Sequence, residues 1–117
     1  DYPVHVPVTH ASAERQTTGE AVYTDDLPTL PNELAGALVL STCPSGKIKS
    51  IDASAALRMP GVAAFYSHRD IPGRNLHGDI VEDEVLFAEG DVTYVGQPIG
   101  IVVADDPAVA KAAALKV

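Results

Sequence analysis

The sequence predicts a single α+β domain with a mixed, mostly antiparallel sheet and two or three short helices. Its 117 residues are about the length of one small domain, and 46% of them are apolar, which is enough to fill one core. Stretches typical of strands and of helices alternate irregularly along the chain. Several connections are shorter than the dozen or so residues that a parallel crossover needs, which favours antiparallel pairing over a doubly wound sheet.

The first part of the chain is predicted to be an extended leading segment over residues 1–15, followed by the domain over residues 16–117. The first ten residues alternate Val with Pro and His, as extended connecting segments do. Residues 18–23 are predicted to form a strand that ends in an Asx-type turn at Asp25 and Asp26. Because the chain begins at Asp1 and ends without a Gly or Pro stop signal, we expect it to be an excerpt of a longer polypeptide.

Three strands and one helix are predicted in the middle of the chain. The apolar run over residues 34–42 indicates a buried strand. The alternating pattern KIKSI over 47–51 indicates a strand with one solvent-exposed face, and residues 62–66 indicate a third strand. Asp52 caps a predicted helix over 52–59, which Pro60-Gly61 ends. A short helical turn is predicted over 67–73, and a polar loop from there to residue 84.

The last part of the chain is predicted to hold two strands and a helix. Residues 92–95 and 99–104 have strand character, with a break at Gly96-Gln97-Pro98 between them. Asp106 followed by Pro107 marks the start of the final helix, since Asp is a good cap and Pro fits the first helical position.

Composition excludes several function classes. The net charge is -8 and there is no Trp, so a phosphate backbone is repelled and few aromatic rings are present to stack on bases. The longest apolar runs are far shorter than the roughly 20 residues that cross a bilayer, so we expect no membrane partner. Cys43 is the single cysteine and forms no internal disulfide, which favours a reducing, cytoplasmic location.

Candidate sites for metals and catalysis are weak in this sequence. An acidic stretch could hold a hard cation, but its spacing does not match a calcium loop, and a solvated loop is favoured; it contains Asp79, Glu82, Asp83, Glu84, Glu89 and Asp91. The four histidines show no zinc-type pairing and are predicted to be surface or locally hydrogen-bonded residues; they are His5, His10, His68 and His77. A nucleophilic Cys43 would need a nearby His, and residues 96–100 are not a dinucleotide fingerprint. We therefore expect no catalytic, cofactor-binding or metal-binding residue in the chain.

Four blocks of residues follow one another in an order that is characteristic of a known family. They are His10 with residues 18–28, residues 48–52 with 59–62, residues 70–73 with Asn75, and residues 95–105 with the Ala-rich helix. Together they resemble the α/β hammerhead domain of the xanthine dehydrogenase and aldehyde oxidase family of molybdenum hydroxylases, over nearly the whole chain.

The resemblance implies an α/β hammerhead fold and a non-catalytic role. In the family's full enzymes a purine, as in the conversion of hypoxanthine and xanthine to urate, or an aldehyde is hydroxylated at a molybdopterin-bound molybdenum. Electrons then pass through 2Fe–2S clusters and FAD to NAD. The implied partners are the molybdenum-binding domains and the FAD and iron–sulfur domain or subunit, and the fragment alone is expected to be inactive. Two alternatives stay open: an aldehyde oxidase-like relative, and a free-standing binding module that kept the fold.

Ile80 and Val81 are apolar exceptions within the polar residues 74–84. One hypothesis is that they border the substrate route to the molybdenum. The other is that they pin a loop to the surface of the sheet. The sequence leaves both open.

Overall fold

Two units make up the chain in the computed structural model, Asp1–Pro31 and Asn32–Val117, and residues 4–117 are described. The described part of the first unit carries one α-helix, α1 (Ala13–Thr18), and one turn of 3₁₀-helix (Thr24–Asp26). The second unit carries seven strands, two α-helices and a second 3₁₀ turn (His68–Asp70).

Helix α1 begins at Ala13, inside the segment predicted to be extended, so that prediction is wrong for residues 13–15. Ala, Glu, Arg and Gln at its start are good helix formers, and this preference outweighs the extended pattern that precedes it. Gly19 ends the helix in the left-handed conformation at φ 81°. The predicted boundary after residue 15 falls within α1, and residues 1–3 of the predicted leading segment lie outside the described residues.

The strand predicted over residues 18–23 is not formed. Thr18 is the last residue of α1, irregular backbone follows Gly19, and the 3₁₀ turn begins at Thr24. The carboxylate of Asp26 accepts a hydrogen bond from the backbone N–H of Tyr23 at 2.9 Å. A turn closed by an Asp side chain is therefore confirmed for Asp26.

The main sheet consists of β1 (Ala35–Leu40), β7 (Pro98–Ala104) and β3 (Val62–Ser67), in the order β1-β7-β3. Both of its pairings are antiparallel, and Ile101 of β7 lies opposite Leu38 on one side and Tyr66 on the other. The central strand is thus the last one in the chain. The predicted α+β class and mostly antiparallel sheet are confirmed, and all four strand pairings in residues 4–117 are antiparallel.

Two short ladders complete the strands. β2 (Gly46–Lys47) pairs with β6 (Asp91–Val92), where Lys47 Nζ and Asp91 Oδ1 are 2.9 Å apart. β4 (Leu76–His77) pairs with β5 (Glu84–Val85). The strands predicted over 47–51 and 92–95 are therefore much shorter than expected, and the predicted polar loop before residue 84 contains β4.

The core lies between the main sheet and the helices α2 (Ser54–Leu57) and α3 (Pro107–Ala114). Its buried members are Val39, Ala56, Val102 and Ala113. Asp106 caps α3 as predicted, since its Oδ1 accepts from the N–H groups of Ala108 at 2.7 Å and Val109 at 3.2 Å. The predicted helical turn at 67–73 is confirmed as the 3₁₀ turn His68–Asp70.

The opposite side of the main sheet is left open. Side chains alternate across a strand, so the residues next to the buried Val39 and Val102 face away from α3. Leu38 and Tyr66 are each 48% exposed there, with Ile101 between them. We call these three residues the outer face. The strand predicted to be buried over 34–42 is thus buried on one side only.

Helix α2 is shorter than the predicted 52–59. It begins at Ser54. Asp52 precedes the helix, and its side chain accepts a hydrogen bond from the Ser54 N–H at 2.9 Å. The hydrogen bonds from the backbone and the side chain of Ser54, together with the nearby charge of Arg58, hold the pKa of Asp52 below its ordinary value of 3.8.

Candidate functional site

The predicted site residues lie on a hairpin formed by residues 74–87, which we call the 74–87 hairpin. Its ladder pairs Leu76 with Val85 and His77 with Glu84. At the base, the side-chain amide of Asn75 bonds to both backbone groups of Phe87: Nδ2 donates to the carbonyl at 2.6 Å, and Oδ1 accepts from the N–H at 2.9 Å. One side chain therefore holds the two arms of the hairpin together.

The tip of the hairpin depends on Gly78. Its φ is 153°, and a Cβ at this position would lie 1.8 Å from the carbonyl oxygen of Val81. That same oxygen accepts from the Asp83 N–H at 3.0 Å. The backbone is folded so closely here that a side chain at residue 78 has no room, and only glycine fits this geometry.

This tip presents the two apolar residues to solvent. Ile80 is 97% exposed and Val81 is 63% exposed. At that exposure Ile80 buries almost no surface against the described chain, so it does not pin the loop to the sheet. The tip is an apolar pair among exposed acids, of which Glu82 forms an ion pair with Arg74.

The candidate metal-binding and catalytic residues do not form a cluster within the described part of the chain. Within residues 4–117, no three His, Cys, Asp or Glu side chains are placed to share a metal ion. Cys43 is an exposed free thiol in the loop after β1. Over the same residues, no helix is long and apolar enough to span a bilayer.

The histidines differ from one another. His10 makes the local hydrogen bond that was predicted, with Nδ1 accepting from the Ser12 N–H at 3.1 Å. His77 is exposed in β4. His68 does not fit the prediction of a surface or locally bonded residue, because its Nδ1 is buried and has no hydrogen-bond partner within the described chain. His68 is the first residue of the 3₁₀ turn His68–Asp70, and no local sequence pattern indicates that one of its ring nitrogens is buried.

Comparison with known proteins decides the family. Residues 18–117 match the family described as aldehyde oxidase and xanthine dehydrogenase, a/b hammerhead domain. The chain belongs to this hammerhead-domain family. The resemblance seen in the four sequence blocks is therefore confirmed, and Ile80, Val81 and Asn75 all lie within the matched part of the hammerhead domain.

Several relatives of this hammerhead domain are named enzymes. Xanthine dehydrogenase of Oryza sativa subsp. japonica is 55% identical over 111 residues, which cover 95% of this chain and 8% of that protein. Xanthine dehydrogenase/oxidase of Mus musculus is 50% identical over 101 residues, covering 86% and 8%. The solved aldehyde oxidoreductase from Desulfovibrio desulfuricans ATCC 27774 has a TM-score of 0.81 at 32% identity, over 91% of this chain and 13% of that one. The chain spans less than a tenth of the length of these two curated relatives.

The donor atoms of the hammerhead domain do not suit the cofactors that its family implies. A 2Fe–2S cluster is held by four Cys thiolates, whereas this chain contains one cysteine. Residues 96–100 contain Pro98, which lacks the amide that would bind a phosphate. One cysteine is therefore too few to hold such a cluster, and residues 96–100 do not match a dinucleotide fingerprint.

Proposed function

We propose that this chain is the non-catalytic hammerhead domain of a molybdenum hydroxylase of the xanthine dehydrogenase type. The full enzyme would convert hypoxanthine and xanthine to urate. Molybdopterin, 2Fe–2S clusters, FAD and NAD would act in neighbouring domains or subunits. The observation that carries this proposal is the 55% identity to a xanthine dehydrogenase over 95% of the chain.

A second candidate is a parent enzyme that oxidises aldehydes. It is favoured by the TM-score of 0.81 to an aldehyde oxidoreductase, although the identity there is 32%. The full-length enzyme that contains this segment should be purified and assayed with xanthine, hypoxanthine and benzaldehyde. We expect the two purines to be the better substrates; oxidation of the aldehyde without turnover of either purine would favour the second candidate.

The 117-residue chain alone is expected to be inactive. Assays of the isolated chain with xanthine, alongside a metal analysis, test this directly. Stoichiometric molybdenum or purine turnover in the isolated chain would contradict a non-catalytic role.

We propose that the outer face of the main sheet packs against the molybdenum-binding domains of the parent enzyme. Leu38 and Tyr66 leave about half of their surface uncovered within this chain, and contiguous apolar surface of this kind marks interaction sites. The isolated chain should therefore self-associate as its concentration rises, which light scattering would measure. Leu38→Asp should keep it monomeric, whereas Leu115→Asp, at an 85% exposed position on α3's end, should not. A strictly monomeric wild-type chain at high concentration would contradict this proposal.

We also propose that Ile80 and Val81 border the substrate route in the parent enzyme. Their support is the exposed tip, on a hairpin whose arms are joined by the Asn75 side chain and whose backbone turns tightly at Gly78. In the full enzyme, Ile80→Ala with Val81→Ala should change kcat/KM for purines by about tenfold, the range expected when apolar contacts to a substrate are lost. The molybdenum content should stay unchanged.

Val95→Ala is the matched control, because Val95 is 61% exposed against 63% for Val81 but lies outside the 74–87 hairpin. Its kinetics should equal those of the unmodified enzyme. Unchanged substrate selectivity and uptake in the double variant would leave the tip with no role in the substrate route.

The location of the parent enzyme is proposed to be the cytoplasm. The exposed free thiol of Cys43 supports a reducing compartment. Cell fractionation with an antibody against the full enzyme tests this, and recovery from an oxidising compartment would contradict it.

A further inference from the structure

Residues 48–51, which we call the 48–51 segment, have the sequence of a strand but form no ladder. The ladder of β2 with β6 ends at Lys47, and the Ile48 N–H donates one further bond, to the Gly90 carbonyl at 2.8 Å. No turn or bend interrupts the segment. Within residues 4–117, the backbone groups of residues 49–51 have no hydrogen-bond partner. Unpaired backbone of this kind is a template for another strand.

A groove of about 470 Å³ lies beside the 48–51 segment. Its other walls include Val39 and Leu40 at the end of β1, and Val117, the last residue of this chain. Helix α3 ends at Ala114, and Val117 then packs against the core with its side chain partly buried. The backbone that leaves α3 is therefore directed into the groove, next to the segment that lacks a strand partner.

The side chains along the groove indicate the chemistry of its occupant. Ile48 and Ile51 are half-buried there and leave apolar surface uncovered. Lys47 pairs with Asp91 at 2.9 Å, whereas the exposed Lys49 has no ion-pair partner within residues 4–117. Opposite charges placed across neighbouring strands stabilise a sheet. A strand that carries apolar side chains and a carboxylate facing Lys49 therefore fits this groove.

We propose that the residues that follow Val117 in the parent enzyme lie in this groove as an extended strand and pair with the 48–51 segment. The proposal rests on the proposed function in one respect, that this chain is part of a longer enzyme; it spans 8% of each of the two curated relatives described above. Main-chain hydrogen bonds hold such an added strand, and its alternate side chains fill the groove. The strand that the KIKSI pattern predicts is then completed by residues outside this chain.

Hydrogen exchange of the full-length enzyme, followed by mass spectrometry, tests the pairing. We expect the amides of residues 49–51 to exchange on the order of 100-fold more slowly than those of Thr42 and Ser45, because ladder hydrogen bonds must open before exchange. Thr42 and Ser45 are the matched reference, since both are exposed and line the same groove outside the segment. Equal exchange at the two places would overturn the proposal.

A carbodiimide, which joins an amine directly to a carboxylate, identifies the occupant in the same enzyme. We expect Lys49 Nζ to be joined to a carboxylate in the stretch that directly follows Val117. Lys49→Arg keeps the charge but removes the reactive amine, so this cross-link should disappear while residues 49–51 stay protected. Lys111→Arg, at an exposed position of α3, is the matched control and should retain the cross-link. A Lys49 cross-link to any other part of the enzyme or to a second copy, or none, would overturn the proposal.

Turnover of xanthine and benzaldehyde by the same preparation separates this proposal from the proposed function. Protected 49–51 amides in an enzyme that oxidises only the aldehyde would support the added strand and contradict the purine assignment. Fast exchange at 49–51 in an enzyme that oxidises xanthine would overturn the added strand alone.

Discussion

The main sheet with α3 and the 74–87 hairpin are held by different kinds of interaction. Between sheet and helix, Val102, Ala104, Ala110 and Ala113 have no exposed surface, and the contacts are apolar and close. In the hairpin, the two arms are held by the side-chain amide of Asn75 and by the tight backbone at Gly78. The sheet should therefore be sensitive to added volume, and the hairpin to the loss of single polar groups.

The largest effect is expected from Gly100→Ala in β7. A Cβ there would lie 2.5 Å from the carbonyl oxygen of Tyr66 and 2.6 Å from the ring of Phe65, and backbone cannot move aside cheaply. We expect the free energy of unfolding, measured by urea denaturation, to fall by about 1–3 kcal/mol.

Gly36→Ala in β1 is the matched control for this substitution. Its Cβ would meet only the flexible end of Ile101, with Cδ1 at 2.9 Å. The end of a side chain can rotate away, so the cost should be well below that of Gly100→Ala. Equal losses in the two variants would show that the close approach of the β3 backbone at Tyr66 is not what limits added volume in the sheet.

A smaller and local effect is expected from Asn75→Ala. It removes both hydrogen bonds to Phe87 and leaves two backbone groups of a half-buried residue without partners. Because water can reach a half-buried residue, the cost should be about 1 kcal/mol, the low end of the range for unpaired groups. Hydrogen exchange should accelerate at the Phe87 and Leu86 amides and stay unchanged in β7. Asn75→Asp keeps the acceptor for the Phe87 N–H, so the Phe87 amide should remain protected. Exchange that accelerates equally in β7 would mean that the hairpin and the sheet unfold together.

The smallest effect concerns Asp52, at an exposed position before α2. Its pKa is lowered in the folded chain, so its carboxylate stabilises the fold above the ordinary value of 3.8, and this contribution is lost as pH falls through the lower, folded pKa. Asp52→Asn should therefore lower the urea midpoint slightly at pH 7. At pH 2.5 the difference from the unmodified chain should shrink, and a difference that grows instead would contradict the assigned cause.

The elements that the sequence predicts well are those indicated by their own residues or by residues next to them in the chain. The strand predicted over 99–104 and the cap at Asp106 match β7 and α3 closely, because an apolar run and an Asp-Pro pair are sufficient to indicate them. Helix α1 was missed because none of its residues is buried, so it has no apolar periodicity to detect. The two-residue strands depend on partners far along the chain, as Lys47 does on Asp91, and no local pattern contains that information.

The candidate site likewise has some features that the sequence predicts and others that only the structure shows. That Ile80 and Val81 are apolar residues among acids is visible in the sequence, and the structure places both at the exposed tip of the hairpin. The role of Asn75 could not be predicted, because its partner Phe87 is twelve residues away in sequence. The role of Gly78 could not be predicted either, because it depends on how closely the backbone approaches the carbonyl oxygen of Val81.

The position of β7 at the end of the strand sequence delays formation of the main sheet during biosynthesis. β1 and β3 do not pair with each other, because each has its ladder partner in β7. Ala35 and Val62 therefore cannot pair until Ala104 has been synthesised. A ribosome adds about 5–20 residues per second, and both edge strands consequently spend seconds as unprotected apolar chain. Nascent-chain pulling experiments should detect no cooperative collapse of the main sheet until residue 104 has cleared the exit tunnel.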